Sequence, residues 1–164
     1  MLDSGAMNEW AAHITVYGTA QPQGSKRLIK HQHTGQVLLI DVNQKKLKAW
    51  RKEVGKVMMT NKPASPLDCA VSLDVILYIA RPQGHFGTGR NAGQLKPSAP
   101  TIAKSGFDTD KILRGLYDAG TGIWWSDDRR IAKVSLTRLY DDGRGERVEL
   151  HVASFLQQRS LFAA

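Results

Sequence analysis

The residues in this sequence best suited to chemistry are carboxylates that fall in tight pairs. Asp108-Thr109-Asp110 stands at the start of a helical pattern, and Asp127-Asp128 follows the aromatic pair Trp124-Trp125. The chain carries 23 Lys and Arg against 15 Asp and Glu, a formal net charge of +8. Gathering acids in two pairs within so basic a chain, each beside an element end, suits a hard divalent cation. Mg²⁺ takes oxygen ligands and offsets the repulsion among clustered carboxylates. A plainer reading uses the same residues: Asp at a helix N-terminus caps free backbone N–H groups, and Asp-Asp before a strand is ordinary turn chemistry. Arg114 lies four residues after Asp110 and four before Asp118, so the three share a helix face. It either belongs to an ion-pair ladder or stands beside metal-bound carboxylates and meets the charge of a phosphate. Spacing alone leaves both readings open.

These residues depend on elements that hydrophobic periodicity predicts. Lys111 to Ala119 forms a short helix with Ile112, Leu113, Leu116 and Ala119 on one face, capped by Asp108, Thr109 or Asp110. From Asn43, a plausible N-cap, Leu47, Trp50, Val54 and Val57 recur at helical spacing among Lys45, Lys46, Lys48, Arg51, Lys52 and Lys56, which gives a strongly basic amphipathic helix. His13 to Tyr17 reads as a first strand. Lys26 to Lys30 and Gln36 to Asp41 flank a turn at His31 to Gly35 and read as a hairpin. Val71, Leu73, Val75, Leu77 and Ile79 alternate with polar neighbours in the period of a strand. Ile131 to Tyr140 and Glu146 to Val152 flank Asp141-Asp142-Gly143-Arg144-Gly145 and read as a second hairpin. The Gly- and Pro-rich stretch from Arg81 to Phe107 reads as a long loop. The sum is a single α+β domain on a mostly antiparallel sheet with two main helices. It occupies residues 13–155, between an N-terminal extension over 1–12 and a C-terminal tail over 156–164.

A chain of 164 residues suits one core, and 41% hydrophobic with 23% charged residues argues against general disorder. The single Cys69 excludes an intramolecular disulfide and fits a reducing cytoplasm, and it reads as a small core residue. Met1 to Met7 lacks the pattern of a secretory signal, and Val71 to Ala80 is too short and too polar to cross a bilayer, so no membrane role is expected. The charge balance favours a polyanionic partner.

The run Asp108-Thr109-Asp110-Lys111-Ile112-Leu113-Arg114, then Asp118-Ala119, then Gly122-Ile123-Trp124-Trp125-Ser126-Asp127-Asp128 resembles the RusA family of Holliday-junction resolvases. In that family a D-x-D-N-L-x-K segment opens a helix carrying a D-A-L stretch, and a D-D-x-Q pair follows before a strand. Gly18 to Arg27 and the Lys45 to Arg51 helix with Trp50 also look like phage-type members, so the resemblance covers roughly Ile14 to Val152. It implies that Asp108, Asp110 and Asp128 bind a divalent cation, Mg²⁺ or alternatively Mn²⁺, with Asp127 beside them. It also implies a homodimer acting on four-way or otherwise branched DNA in a bacterial host or phage-infected cell. The family asparagine is Lys111 here, its lysine is Arg114, and Arg129-Arg130 follow Asp128 where a glutamine is usual. Arg114 keeps the charge and can grip a phosphate in bidentate fashion, but it does not give up a proton as a lysine can.

Phosphodiester hydrolysis needs a nucleophilic water, charge stabilisation on the phosphate and a stabilised leaving oxygen, which one or two divalent cations can supply. DNA affinity is expected from Lys26, Arg27 and Lys30, from Lys45, Lys48, Arg51 and Lys52, and from Arg81, Arg90, Lys96 and Lys104 in the long loop. Lys111 adds to these beside the acids. The alternative is a non-catalytic nucleic-acid-binding module whose acids serve only as caps and turns; a metal-dependent ribonuclease is a weaker third. Gly87 to Gly93 has a dinucleotide-fingerprint look, but Leu95-Lys96-Pro97 follows it instead of a helix. His31 and His33 read as a polar hairpin tip. Trp124-Trp125 reads as core, with stacking on unpaired bases as the alternative.

Overall fold

A computed structural model describes residues 10–24, 26–41 and 44–154. The predicted cap Asn43, the tail over 156–164 and most of the N-terminal extension lie outside them. Among the described residues the order is β1 (Ala11–Tyr17), β2 (Lys26–Lys30), β3 (Val37–Asp41), α1 (Gln44–Thr60), β4 (Val71–Ile79), α2 (Thr109–Gly120), β5 (Ile131–Tyr140) and β6 (Arg147–Ser154). The fold is α+β, with one four-stranded mixed sheet in the order β1-β6-β4-β5 and a separate two-stranded β2-β3 hairpin. In that hairpin Lys30 pairs with Val37, and Gly35 supplies the positive φ of +65° that the turn requires. The side chains of Lys26 and Arg27 are outside the described structure.

The second expected hairpin is not one. β5 pairs in parallel with β4, and β6 pairs antiparallel with the other edge of β4, so β4 lies between them. The turn does reverse the chain, but its six residues, 141–146, cross the end of β4 and bridge two strand spacings, roughly 9.6 Å. A two-residue hairpin turn spans only one. β4 takes this central place because its alternate residues Val71, Leu73, Val75 and Leu77 are all buried. A parallel β4-β5 pair in turn needs a long crossover, and that connection carries the loop and α2 across the sheet.

One sheet face packs beneath the two helices through Ile14, Val16, Leu73, Val75, Leu77, Val148 and Leu150, against Leu47, Trp50 and Val54 of α1 and Ile112 and Leu116 of α2. Cys69 is exposed just before β4, contrary to the expectation of a core residue, because the apolar alternation begins only at Val71. Trp124 and Trp125 are fully buried, which removes them as stacking surfaces for bases.

The least expected core member is Arg147, fully buried at the start of β6. Its Nε donates to Glu149 at 2.7 Å, and both Nη atoms donate to the Asp142 carboxylate at 2.9 and 3.0 Å. Its guanidinium lies 3.5 Å from the Tyr78 ring centroid. The guanidinium groups of Arg144 and Arg147 hold the Asp142 carboxyl well below the usual carboxylate range. A depressed carboxylate adds stability that is present at neutral pH and lost as pH falls through its folded-state pKa. Arg147→Ala leaves Glu149 and Asp142 with Arg144 as their remaining shared cation and opens a cavity, so unfolding in urea should show a loss of about 3 kcal/mol. The same variant should flatten the acid side of the stability profile. Unchanged stability would show that the cluster contributes nothing net.

The long loop is tied down at several points. Arg81 donates to the carbonyls of Asp141 (2.7 Å) and Pro100 (2.8 Å), Lys96 Nζ donates to the Gly84 carbonyl at 2.8 Å, and residues 101–103 bond to the edge of β5. Short 3₁₀ turns at Gln83–His85 and Gly89–Asn91 lie within it, and no helix follows Gly93, in keeping with the rejection of a dinucleotide fingerprint.

Candidate active site

α2 forms because Ile112 and Leu116 recur on the face that meets the core, while Asp110 and Arg114 fall on the outer face. Asp108 sits at the N-cap, yet its side chain makes no capping hydrogen bond among the described residues. The carboxylate turns to Lys111 instead, 2.9 Å from its Nζ, and that ammonium holds the Asp108 carboxyl below its ordinary value. Asp110 lies 3.8 Å from Arg114 in an exposed pair. The ladder ends there, because Asp118 pairs across the helix interface with Arg51 of α1.

The second acid pair is placed by the aromatics that precede it. Trp124 Nε1 donates to the Met58 carbonyl of α1 at 3.0 Å, and Trp125 Nε1 donates at 3.2 Å to both the Tyr117 carbonyl and Thr121 Oγ1 of α2 and its C-cap. Ser126 is fixed by backbone bonding to Leu67 and by its hydroxyl to Asp68, which also binds Arg130 at 2.6 Å. With both sides anchored, the chain leaves Trp125 into a 3₁₀ turn at Asp128–Arg130 that contacts α2.

Asp127 caps this turn. It accepts from the Arg129 backbone N–H at 2.9 Å and from the Arg129 guanidinium at 2.8 and 3.0 Å, which holds its carboxyl far below the carboxylate range. Asp128 is exposed and faces α2: burial pushes the Tyr117 phenol up, and the negative charge of Asp128 pushes it the same way. Tyr117 follows Asp110 and Arg114 along one stripe of the helix, at i, i+4 and i+7. The turn thus brings Asp128 to the helix that Asp108 and Asp110 open.

Carboxylate oxygens are the donors a hard divalent cation prefers. They do not form an assembled coordination shell: among the described residues no three His, Cys, Asp or Glu side chains are gathered closely enough to hold a metal ion. Asp108, Asp110 and Asp127 each lie on a cation of their own segment instead. Such exposed pairs are worth little and exchange easily, so these carboxylates suit a hard cation by their chemistry without being assembled around one.

Residues 19–153 match the family described as Endodeoxyribonuclease RusA. The chain is a member of the RusA family. RusA proteins are endodeoxyribonucleases, so this chain belongs with enzymes that cut DNA internally. No curated protein matches its sequence.

The RusA membership gives the basic residues a context, and the structure sorts them. Lys45, Lys48 and Lys52 are exposed on α1, Lys30 ends β2, and Arg90 and Lys104 are exposed in the long loop. Arg51, Arg81 and Lys96 are committed to Asp118, to backbone carbonyls and to the Gly84 carbonyl. These bonds hold α1 on α2 and fix the loop. His31 and His33 lie edge to face at the hairpin tip, 6.1 Å apart. Among the described residues no helix is long and apolar enough to cross a membrane.

Two residues of this candidate site escaped sequence reasoning. Tyr117 was recognisable in hindsight from its i+7 spacing to Asp110. Asp68 carries no local signal, since its place depends on backbone pairing of Leu67 with Trp124 and Ser126, across all of β4, the long loop and α2.

Proposed function

We propose that this RusA-family chain is a divalent-metal-dependent, structure-selective endonuclease that resolves four-way DNA junctions by paired cuts, as a homodimer in the cytoplasm. The observation that supports this reading is the contact of the Asp128–Arg130 turn with α2, where the charge of Asp128 acts on Tyr117 of the helix that Asp108 and Asp110 open. Asp108, Asp110 and Asp128 would hold the cation, Mg²⁺ or Mn²⁺, with Asp127 beside them and committed to Arg129. When bound, such an ion activates water and stabilises charge on the phosphate and the leaving oxygen. The chain's own residues do the positioning. The Asp108 carboxyl, held low by Lys111, is ionised throughout the neutral range and needs no deprotonation before it can serve as a ligand. Arg114, exposed beside Asp110, meets a non-bridging phosphate oxygen. The free lysines of α1 hold the flanking backbone, and two symmetric cuts call for two equivalent sites.

Arg114→Ala should slow single-turnover cleavage by about 10²-fold with little change in junction Kd, because the group acts on charge that develops in the transition state. Arg114→Lys should restore part of the rate, and equal rates in all three proteins would remove Arg114 from the site.

The capping bonds of Asp127 favour a second reading, a nucleic-acid-binding module whose acids only cap and turn. Incubation with a four-way junction, a linear duplex and a structured RNA, each with Mg²⁺, Mn²⁺ or EDTA, separates the two. Symmetric, metal-dependent nicking of the junction alone is the outcome for a resolvase. Binding without cleavage in any metal supports the module, and cleavage of the RNA alone points to a ribonuclease.

A further inference from the structure

Between the end of β1 and α1 lies a groove of about 410 Å³, lined among others by Tyr17, Gln21, Lys46, Trp50, Lys52 and Glu53. Nothing in the cleavage chemistry uses it. Tyr17 is 64% exposed at the strand end, unusual for so large a ring, and Gly18 at φ +112° turns the chain away beyond it. Lys46 and Lys52 are exposed and have no ion pair among the described residues, whereas Glu53 is occupied by Lys56 at 2.7 Å. The groove is therefore net positive although a carboxylate lies on its wall. Trp50 is nearly fully buried in that wall, and its Nε1 has no hydrogen-bond partner among the described residues. A Cβ added at Gly115 of α2 would lie 2.9 Å from Trp50 Cζ3, so the opposite edge of the indole, with its N–H, points away from α2.

An exposed ring sharing a groove with two ammonium groups that have no ion pair among the described residues is a pattern that takes single-stranded nucleic acid: a base stacks on the aromatic face and flanking phosphates meet the lysines. A regular duplex keeps its bases stacked and offers only the phosphates. We infer that this groove holds one unstacked nucleotide of a DNA strand at the branch point, its base on Tyr17 and its adjacent phosphates on Lys46 and Lys52. The inference rests on the junction-resolving reading, and it makes Tyr17 a determinant of branched over linear DNA.

The test measures Kd for a four-way junction and for a linear duplex with wild type, Tyr17→Ala, Tyr17→Phe and Lys46→Ala/Lys52→Ala, in EDTA so that no strand is cut. Tyr17→Ala is expected to weaken junction binding about tenfold or more and to leave duplex binding unchanged, while Tyr17→Phe retains wild-type affinity. The double lysine variant should lower the slope of log K against log salt by about 1.5. If wild type prefers the junction and Tyr17→Ala shares that preference in full, the groove assignment is overturned while the resolvase reading stands. A loss in Tyr17→Phe equal to that in Tyr17→Ala also overturns it, since the ring would not be the contact. Equal affinity of wild type for junction and duplex overturns both.

Discussion

Asp108→Asn, Asp110→Asn and Asp128→Asn should each lower the rate of junction cleavage by about 10²-fold or more while junction Kd changes little. An amide keeps the size of the carboxylate but loses the charge that holds a hard cation. The lysines proposed to hold DNA lie mainly on α1 and in the long loop, outside the three substituted positions. The effect should not be uniform across the four acids. Asp127 already caps its turn and holds Arg129, so Asp127→Asn should chiefly loosen the turn at Asp128–Arg130, with a smaller loss of rate and a measurable loss of stability. Single-turnover cleavage and gel-shift titration on the same preparations check both halves. Equal rates in wild type and Asp110→Asn would return the acids to caps and turns.

Gly120→Ala carries the second large effect, and it links packing to chemistry. A Cβ at Gly120 would run into the Trp125 indole, closest to Cζ2 and only 2.7 and 2.8 Å from Cη2 and Cε2. Trp125 is fully buried and has nowhere to withdraw. Either the end of α2 shifts or the indole turns and gives up its bonds to the Tyr117 carbonyl and Thr121. Overpacking of this kind costs on the order of 3 kcal/mol, a fall in Tm of about 6–12 °C for a chain of this size. Asp127 and Asp128 follow Trp125 with only Ser126 between, so their turn moves with it, and a misplacement of about 1 Å at a reacting centre can cost about 10²-fold in rate. The expected outcome is therefore a variant that is both less stable and slow, measured well below its Tm. Gly115→Ala is the comparison: its added Cβ meets Trp50 Cζ3 at 2.9 Å, a milder clash on the face of α2 that meets α1 and not Trp125. It should lose stability with little loss of rate. A Gly120→Ala protein with full rate would show that Trp125 does not position the acids.

What could be read from the sequence follows the range of the interactions concerned. α1, α2 and β4 are written in local apolar periodicity, and the β2-β3 hairpin in a turn whose strands do pair with each other. The β5-β6 turn carries an equally strong local signal, but pairing is decided by β4, a strand from the middle of the chain that inserts between them. Burial of Arg147 is invisible for the same reason: Tyr78 comes from β4 and Asp142 from the preceding turn, and only the fold brings them around one guanidinium. The basic residues show a related limit. Charge counts treat Arg51, Arg81 and Lys96 like Lys45 and Lys48, yet the first three are bonded within the fold, while the last two have no ion pair or hydrogen bond among the described residues. At the candidate site, the acids and their helix were legible from spacing. The route that returns Asp128 to α2 was not, because it runs through the burial of Trp124 and Trp125 and their hydrogen bonds to α1 and α2.

The most direct measurement is Mn²⁺ binding to the DNA-free protein, followed by electron paramagnetic resonance in wild type and in Asp108→Asn, Asp110→Asn and Asp128→Asn. Wild type should take up the ion and each substitution should weaken it markedly, with Asp128→Asn as damaging as the two changes at the start of α2. Undiminished Mn²⁺ affinity in Asp128→Asn would mean that the two acid pairs do not share an ion, and the account of a single cation site built from the helix start and the 3₁₀ turn would be wrong.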